Sequence, residues 1–242
     1  MPKIVFITGA TSGFGKACAY KFAANGYDLI LNGRRTDRLQ SLADELENKY
    51  NVAVLQLPFD VQIQKDVFDS INSIPENWKA IDVLVNNAGI QQWMSISDKD
   101  FFQRAKEEIT INIEAPIHLT SLFLNLNSLT TIMNVTSGLS FVPLVKTPVY
   151  SATKSFFHSF TLSLKKLLQS RNIEVIELIP PALNTDLGGK GIHDTAPPVS
   201  DFIEAIFTQL KQGQTKLTFG FSEAMSKAGP EDLQKAFDRL NP

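Results

Sequence analysis

Tyr150 and Lys154 stand four residues apart, and Ser137 precedes the tyrosine by thirteen residues. A free phenol titrates near ~10, so a tyrosine exchanges protons near neutrality only when its surroundings shift that balance. A lysine one helical turn away, on the same face, supplies a positive charge that favours phenolate. A serine hydroxyl can hold an oxygen on which charge develops. Phenol, ammonium and hydroxyl together suit general acid–base work at a carbon–oxygen bond. A Tyr-x-x-x-Lys pair alone carries little weight, because any amphipathic helix supplies i, i+4 pairs. Without further support the tyrosine and lysine would read as a solvated helix face and Ser137 as a turn or cap residue.

A glycine-rich turn near the start adds a nucleotide to this chemistry. Thr8-Gly9-Ala10-Thr11-Ser12-Gly13-Phe14-Gly15 follows an apolar run and opens a helical pattern. Glycines at 9, 13 and 15 let the backbone turn sharply and approach a pyrophosphate, whose charge then meets the amides and positive end of the helix. Gly9, Thr11, Ser12, Gly13, Phe14 and Gly15 are therefore expected cofactor contacts. The second apolar run ends Asn32-Gly33-Arg34-Arg35, with no carboxylate to hold ribose hydroxyls. A guanidinium grips a 2′-phosphate with paired hydrogen bonds, so Arg34 points to NADP rather than NAD; otherwise it is a solvated turn residue. Asp60, with Val61 beside it, follows the third run, where a carboxylate can accept from an adenine amino group or simply cap a turn. Asn87, Ala88 and Gly89 follow the fourth, and their small size lets main chain lie against a ribose.

The elements that must carry these residues alternate along the chain. Lys3 to Thr8, Asp28 to Asn32, Val52 to Leu57, Ile81 to Val85, Thr131 to Val135 and Glu174 to Ile179 read as six strands, with a seventh from Lys216 to Phe219. Most lack a polar face, as expected of parallel strands covered on both sides. Helical patterns lie near 13–25, 36–50, 63–73, 98–126, 149–170, 200–212 and 230–240. Gly26 sits where a left-handed cap is wanted, and Thr36 or Asp37 can cap the second helix. This predicts an α/β, Rossmann-type, doubly wound and mainly parallel seven-stranded sheet with helices on both faces and its ligand at the strands' carboxyl ends. The irregular stretch from Pro180 to Ser200 reads as a substrate lid over about 186–200.

At 242 residues the chain fits one domain, residues 1–242. A net charge of −2 and two short basic clusters, Arg34-Arg35 and Lys165-Lys166, give no footprint for nucleic acid. The single cysteine, Cys18, cannot form an internal disulfide and reads as a buried reduced thiol. The N-terminal apolar run is far shorter than a signal or spanning segment, so no membrane association and a cytoplasmic location are expected. His118, His158 and His193 show no metal-ligand spacing, and no metal is expected.

Taken in order, Thr8-Gly9-x-x-x-Gly13-x-Gly15, Asn86-Asn87-Ala88-Gly89, Asn112, Ser137, Tyr150-x-x-x-Lys154 and Pro180 to Thr185 resemble the short-chain dehydrogenase/reductase family across roughly residues 3–187. The resemblance implies a catalytic tetrad of Asn112, Ser137, Tyr150 and Lys154. It also implies that Lys154 reaches the cofactor ribose and that Pro180, Leu183 and Thr185 approach the nicotinamide. The expected function is an NADP-dependent oxidoreductase that interconverts a small carbonyl substrate and its alcohol. The alternative is an NADP-binding redox sensor without chemistry, which has no need of Ser137, Tyr150 and Lys154 together. Members use a kink near the asparagine to hold a water, and Pro116 cannot donate to the carbonyl of residue 112, so it can fix such a kink here.

Pro180-Pro181 departs from the usual Pro-Gly and resembles a DltE-like subgroup, whereas Gly33-Arg34-Arg35 and the Ser12-Gly13-Phe14-Gly15 turn resemble reductases of 3-hydroxy acids. The region after Thr218 lacks the Gly-rich segment of many tetrameric members. That disfavours a tetramer, and Phe156, Phe157, Phe160, Leu164, Leu167 and Leu168, spread round more than one face of the Tyr150 helix, suit either a helix-to-helix homodimer or ordinary core packing. Leu139, Phe141, Val142, Val145, Leu183 and Leu187 are available as an apolar substrate wall or equally as the core of the lid.

Overall fold

The computed structural model describes residues 2–242. Seven parallel strands lie in the order β3-β2-β1-β4-β5-β6-β7: Ile4–Ile7, Asp28–Asn32, Val54–Leu57, Ile81–Asn86, Thr131–Val135, Glu174–Ile179 and Lys216–Thr218, numbered along the chain. Helices α1 (Gly13–Ala24), α2 (Thr36–Tyr50), α3 (Gln64–Asn72), α4 (Phe101–Ile109), α5 (Ala115–Phe123), α6 (Pro148–Leu168), α7 (Val199–Lys211), α8 (Phe221–Lys227) and α9 (Pro230–Leu240) complete the described chain. The strand-to-helix alternation read from the apolar runs is thus met.

The period of two within each strand explains how one sheet serves two cores. Val5, Ile7, Leu29 and Leu31 pack against Phe14, Cys18, Leu39, Leu42, Phe202 and Ile206 of α1, α2 and α7. Phe6, Ile30, Leu84 and Ile132 face the other way, toward Val67, Leu119, Phe123, Leu164 and Leu168 of α3, α5 and α6. Both faces are therefore apolar, which is why the strands look like unbroken apolar runs.

Three expectations are corrected. The helix expected over 98–126 is broken: α4 gives way at Thr110–Glu114 to a wide turn in which the Ala115 N–H bonds the Thr110 carbonyl, i to i+5, before α5 begins. Pro116, in the first turn of α5, lacks the N–H that an α-helical register would direct at Asn112. Neither Thr36 nor Asp37 caps α2. Arg35 holds the cap position without a side-chain bond, and Asp37 lies in the first turn, where its charge meets the positive end of the helix. The seven-residue α8 was not expected, since Phe221–Lys227 is too short to show a helical period. Gly26 does adopt the left-handed conformation, with φ 77°.

Candidate active site

The strand order reverses between β1 and β4, so the loops leaving these neighbours part and open a crevice at their carboxyl ends. A cleft of 1320 Å³ occupies it. Every residue expected from sequence to bind cofactor or do chemistry lines this cleft, with the exception of Asn112.

At the β1 end the glycine turn is fitted closely to the exit of β4. Gly9 and Gly13 have φ of 65° and 52°, a region that side chains disfavour. A Cβ on Gly9 would lie 3.0 Å from the Ala88 Cα, and one on Gly15 would run into the Gly9 carbonyl and the Asn87 amide. Thr8 binds the two segments together: its hydroxyl accepts from the Asn87 and Ala88 N–H groups at 2.9 and 3.0 Å, while the Asn87 amide donates to the Thr8 carbonyl at 2.8 Å. Ser12, at the start of α1, accepts from Arg35 and makes no cap bond, leaving the first amides of the helix free for an anion. These features fit a dinucleotide pyrophosphate.

Beyond β2 stand three arginines. Arg34 is 61% exposed and pairs loosely with Asp60 at 3.4 Å. Arg35 donates to the Thr11 and Ser12 hydroxyls at 2.7 and 3.0 Å, and Arg38, one turn into α2, shares the wall. Partial burial, followed by repulsion from Arg38 and Arg34, lowers the pKa of Arg35, consistent with a concentrated positive patch. The sequence reading singled out Arg34 alone. Arg38 was legible only through the helical spacing that places it beside Arg34 and Arg35.

At the other end, Ser137 leaves β5 and its hydroxyl accepts from the Leu139 N–H at 3.1 Å, capping a short 3₁₀ turn over Gly138–Ser140. Tyr150 and Lys154 share one face of α6 and are each 5% exposed. The Lys154 ammonium lies 5.7 Å from the centre of the Tyr150 ring and donates to the Val135 carbonyl at 2.8 Å. Burial pulls Lys154 down to about 8. Burial also pushes the phenol up to about 12, with the Ser137 hydroxyl pulling the other way and the Glu108 carboxylate adding to the rise. The lysine was expected to make the phenol more acidic; in the protein alone desolvation outweighs it, and Tyr150 is held protonated.

Asn112 stands behind the cleft wall, 2% exposed. Its side chain clamps Ile90 from both sides, accepting from the Ile90 N–H at 2.9 Å and donating to the Ile90 carbonyl at 2.9 Å, and it reaches Thr153 of α6 at 3.1 Å. It therefore ties the β4 exit to the Tyr150 helix. Beneath it a buried amide chain runs across the sheet: Asn86 donates to Asn134 and Thr120, and Asn134 donates to Thr161.

Of the expected apolar wall, Leu139, Leu183 and Leu187 line the cleft. Val142 is core, Val145 is 53% exposed, and Phe141 packs on His158. The C-terminal end supplies unexpected lining through Phe219, Phe221 and Leu240, with Asn241 pinned to the Pro143 carbonyl and the Val145 N–H. No helix is long and apolar enough to cross a membrane, and no group of three or more metal-binding side chains occurs among the described residues.

A sequence profile described as short chain dehydrogenase matches residues 3–195. The chain belongs to the short-chain dehydrogenase family. As a family member it is an oxidoreductase with a nucleotide cofactor. It is 32% identical over 251 residues to a Bacillus subtilis protein named uncharacterized oxidoreductase DltE, covering 98% of this chain and 96% of that one. It is 36% identical over 180 residues to the NADP-dependent 3-hydroxy acid dehydrogenase YdfG of Salmonella typhi, covering 73% and 71%. The short-chain dehydrogenase from Sphingobium yanoikuyae, solved in complex with NADPH, superposes with a TM-score of 0.80 at 27% identity, covering 99% of this chain and 93% of that one. Both subgroup likenesses read from the motifs thus find a counterpart among the relatives.

Proposed function

We propose that the chain is an NADP-dependent oxidoreductase interconverting a carbonyl group and a secondary alcohol, with Tyr150 as general acid and base. The observation that carries this reading is a buried phenol, hydroxyl and ammonium lining the same cleft as a glycine cradle and three arginines. Arg34, Arg35 and Arg38 would hold the 2′-phosphate, the α1 amides the pyrophosphate, and Lys154 the nicotinamide ribose. NADPH when bound supplies the hydride for reduction, and NADP+ accepts it in the reverse direction.

Everything else falls to the side chains. As the carbonyl carbon gains its hydride, the Tyr150 hydroxyl gives its proton to the oxygen, and the Ser137 hydroxyl steadies the charge building there. Lys154, with its positive charge beside the phenol, stabilises the phenolate left behind. A phenol pushed up to about 12 is already in the protonated form that reduction needs. Asn112 acts through position, fixing Ile90 and α6. The stretch 186–200 forms a lid over the substrate, residues 1–242 form one domain, and the enzyme acts as a cytoplasmic homodimer.

Following NADPH oxidation with ketones, aldehydes and 3-oxo compounds tests the reading. Tyr150→Phe should lower turnover by about 10³-fold or more while NADPH still binds in a fluorescence titration. Arg34→Asp should shift preference toward NADH. Tight NADPH binding with no turnover of any carbonyl would instead mark a redox sensor.

A further inference from the structure

The cleft is divided by charge. Its arginines, Arg34, Arg35 and Arg38, all stand at the β2 end, and the one lysine on its wall is Lys154, already bonded to the Val135 carbonyl. The wall beyond Tyr150 holds no lysine or arginine; its one basic side chain is the imidazole of His193, and it also holds the carboxylate of Asp186. Lys190, the single lysine in the lid, is exposed and lies off the wall. An anionic substrate group brought here would lose its water beside a carboxylate, with no guanidinium or ammonium to replace it. Such burial is among the costliest a site can impose.

Among the uncharged hydrogen-bonding side chains at this end, Gln91 and Trp93 lie together under the lid. Gln91 is 9% exposed, and its side-chain amide makes no hydrogen bond among the described residues. The Trp93 indole Nε1 is buried, also without a partner among the described residues. Gln91 follows directly on Ile90, the residue that Asn112 clamps, and Trp93 comes two residues later, so the placement of this short segment is coupled to the Tyr150 helix. The lid meets them at Gly188, where φ is 81° and a Cβ would come within 3.0 Å of Trp93 Nε1 and 3.1 Å of Gln91 Oε1. Glycine lets lid backbone close onto the pair. A buried N–H lacking an acceptor favours any ligand that brings one.

We propose that Gln91 and Trp93 recognise an uncharged acceptor oxygen, such as an ester or amide carbonyl, on a neutral oxo substrate whose remaining surface packs against Leu139, Leu144, Leu183 and Phe221, and that the site rejects oxo acids. This rests on the carbonyl–alcohol reading above. The pair does not touch the reacting carbon; it selects and orients the far end of the substrate.

The test compares four substrates of matched length with NADPH: a 3-oxo ester, the corresponding primary amide, the free 3-oxo acid, and a ketone lacking the second carbonyl. The ester and amide should exceed the acid in kcat/KM by about 100-fold, because the carboxylate must shed its water beside Asp186 without a lysine or arginine to pair with it. Trp93→Phe and Gln91→Leu should each lower kcat/KM for ester and amide about tenfold relative to the plain ketone, as expected for one hydrogen bond, with most of the change in KM. In calorimetry on the NADP+ complex, the product hydroxy ester should bind more tightly than the hydroxy acid, and Trp93→Phe should narrow that difference. Free acid handled as well as the ester, or variants that depress all four substrates equally, would overturn the proposal and leave the reductase reading standing. If none of the four is turned over despite bound NADPH, both fall.

Discussion

Burying the Lys154 ammonium with one carbonyl as its partner costs the fold stability. Its pKa falls from 10.5 to about 8, which corresponds to on the order of 3 kcal/mol against the charged form. The sign follows from linkage: a base whose folded pKa is lowered is penalised in full below about 8, and the penalty is relieved as pH rises through 8 toward 10.5. Lys154→Met should therefore melt several degrees higher than the wild type at pH 6.5, with the gap shrinking by pH 10, as followed by circular dichroism. The same variant should lose reductase activity, so a position that weakens the fold would be shown to serve the chemistry. Tyr150, Lys154 and Ser137 were legible because helical spacing and strand ends fix their neighbours. Glu108, fully buried and pushed up to about 7 chiefly by burial, was not, since nothing along the chain shows which acids end up inside. Gln91 and Trp93 gained meaning only once the Gly188 backbone was seen to meet them.

Among the elements, the wide turn at Thr110–Glu114 matters most to the site. It presents Asn112 to Ile90 and Thr153 at once, and Pro116 withholds the donor that would restore a regular helix. Pro116→Ala should let the turn tighten and loosen the clamp, lowering kcat severalfold and raising the solvent isotope effect as proton delivery slows. An unchanged pH–rate profile and isotope effect would remove proline from the account. Apolar runs made the strands readable because both sheet faces are covered. The break between α4 and α5 left only the proline as a trace, because apolar periodicity continues through it. Helix α8 left none, being a seven-residue segment that owes its form to the Gly138 turn it packs against.

Across the whole molecule, helix α6 presents an uncovered apolar strip. Phe157, Leu164 and Leu168 are buried, whereas Phe156 and Leu167, about three turns apart on one flank, are 45% and 70% exposed, and Phe102 of neighbouring α4 is 78% exposed; Leu162, 51% exposed, lies on the opposite flank. A face of this kind on two packed helices suits a two-fold partner. Phe156→Glu combined with Leu167→Glu should convert a dimer to a monomer in light scattering behind size exclusion, while a wild-type monomer would dismiss the pairing.

The sheet order also governs how the chain is born. Of the seven strands β1 is synthesised first, yet one of its two neighbours is β4, with Ile4 paired to Ile81. Because every strand pair is parallel, no hairpin is available to zip early, and each pairing waits for an intervening crossover to be made. The glycine turn gains its abutting wall only when Asn87 has been synthesised and Thr8 can grip it. A nascent chain shorter than that has apolar strands without a closed core, and both sheet faces stay open until α6 and α7 arrive, so protection of β1 from proteolysis should appear only once Ile206 has cleared the exit tunnel.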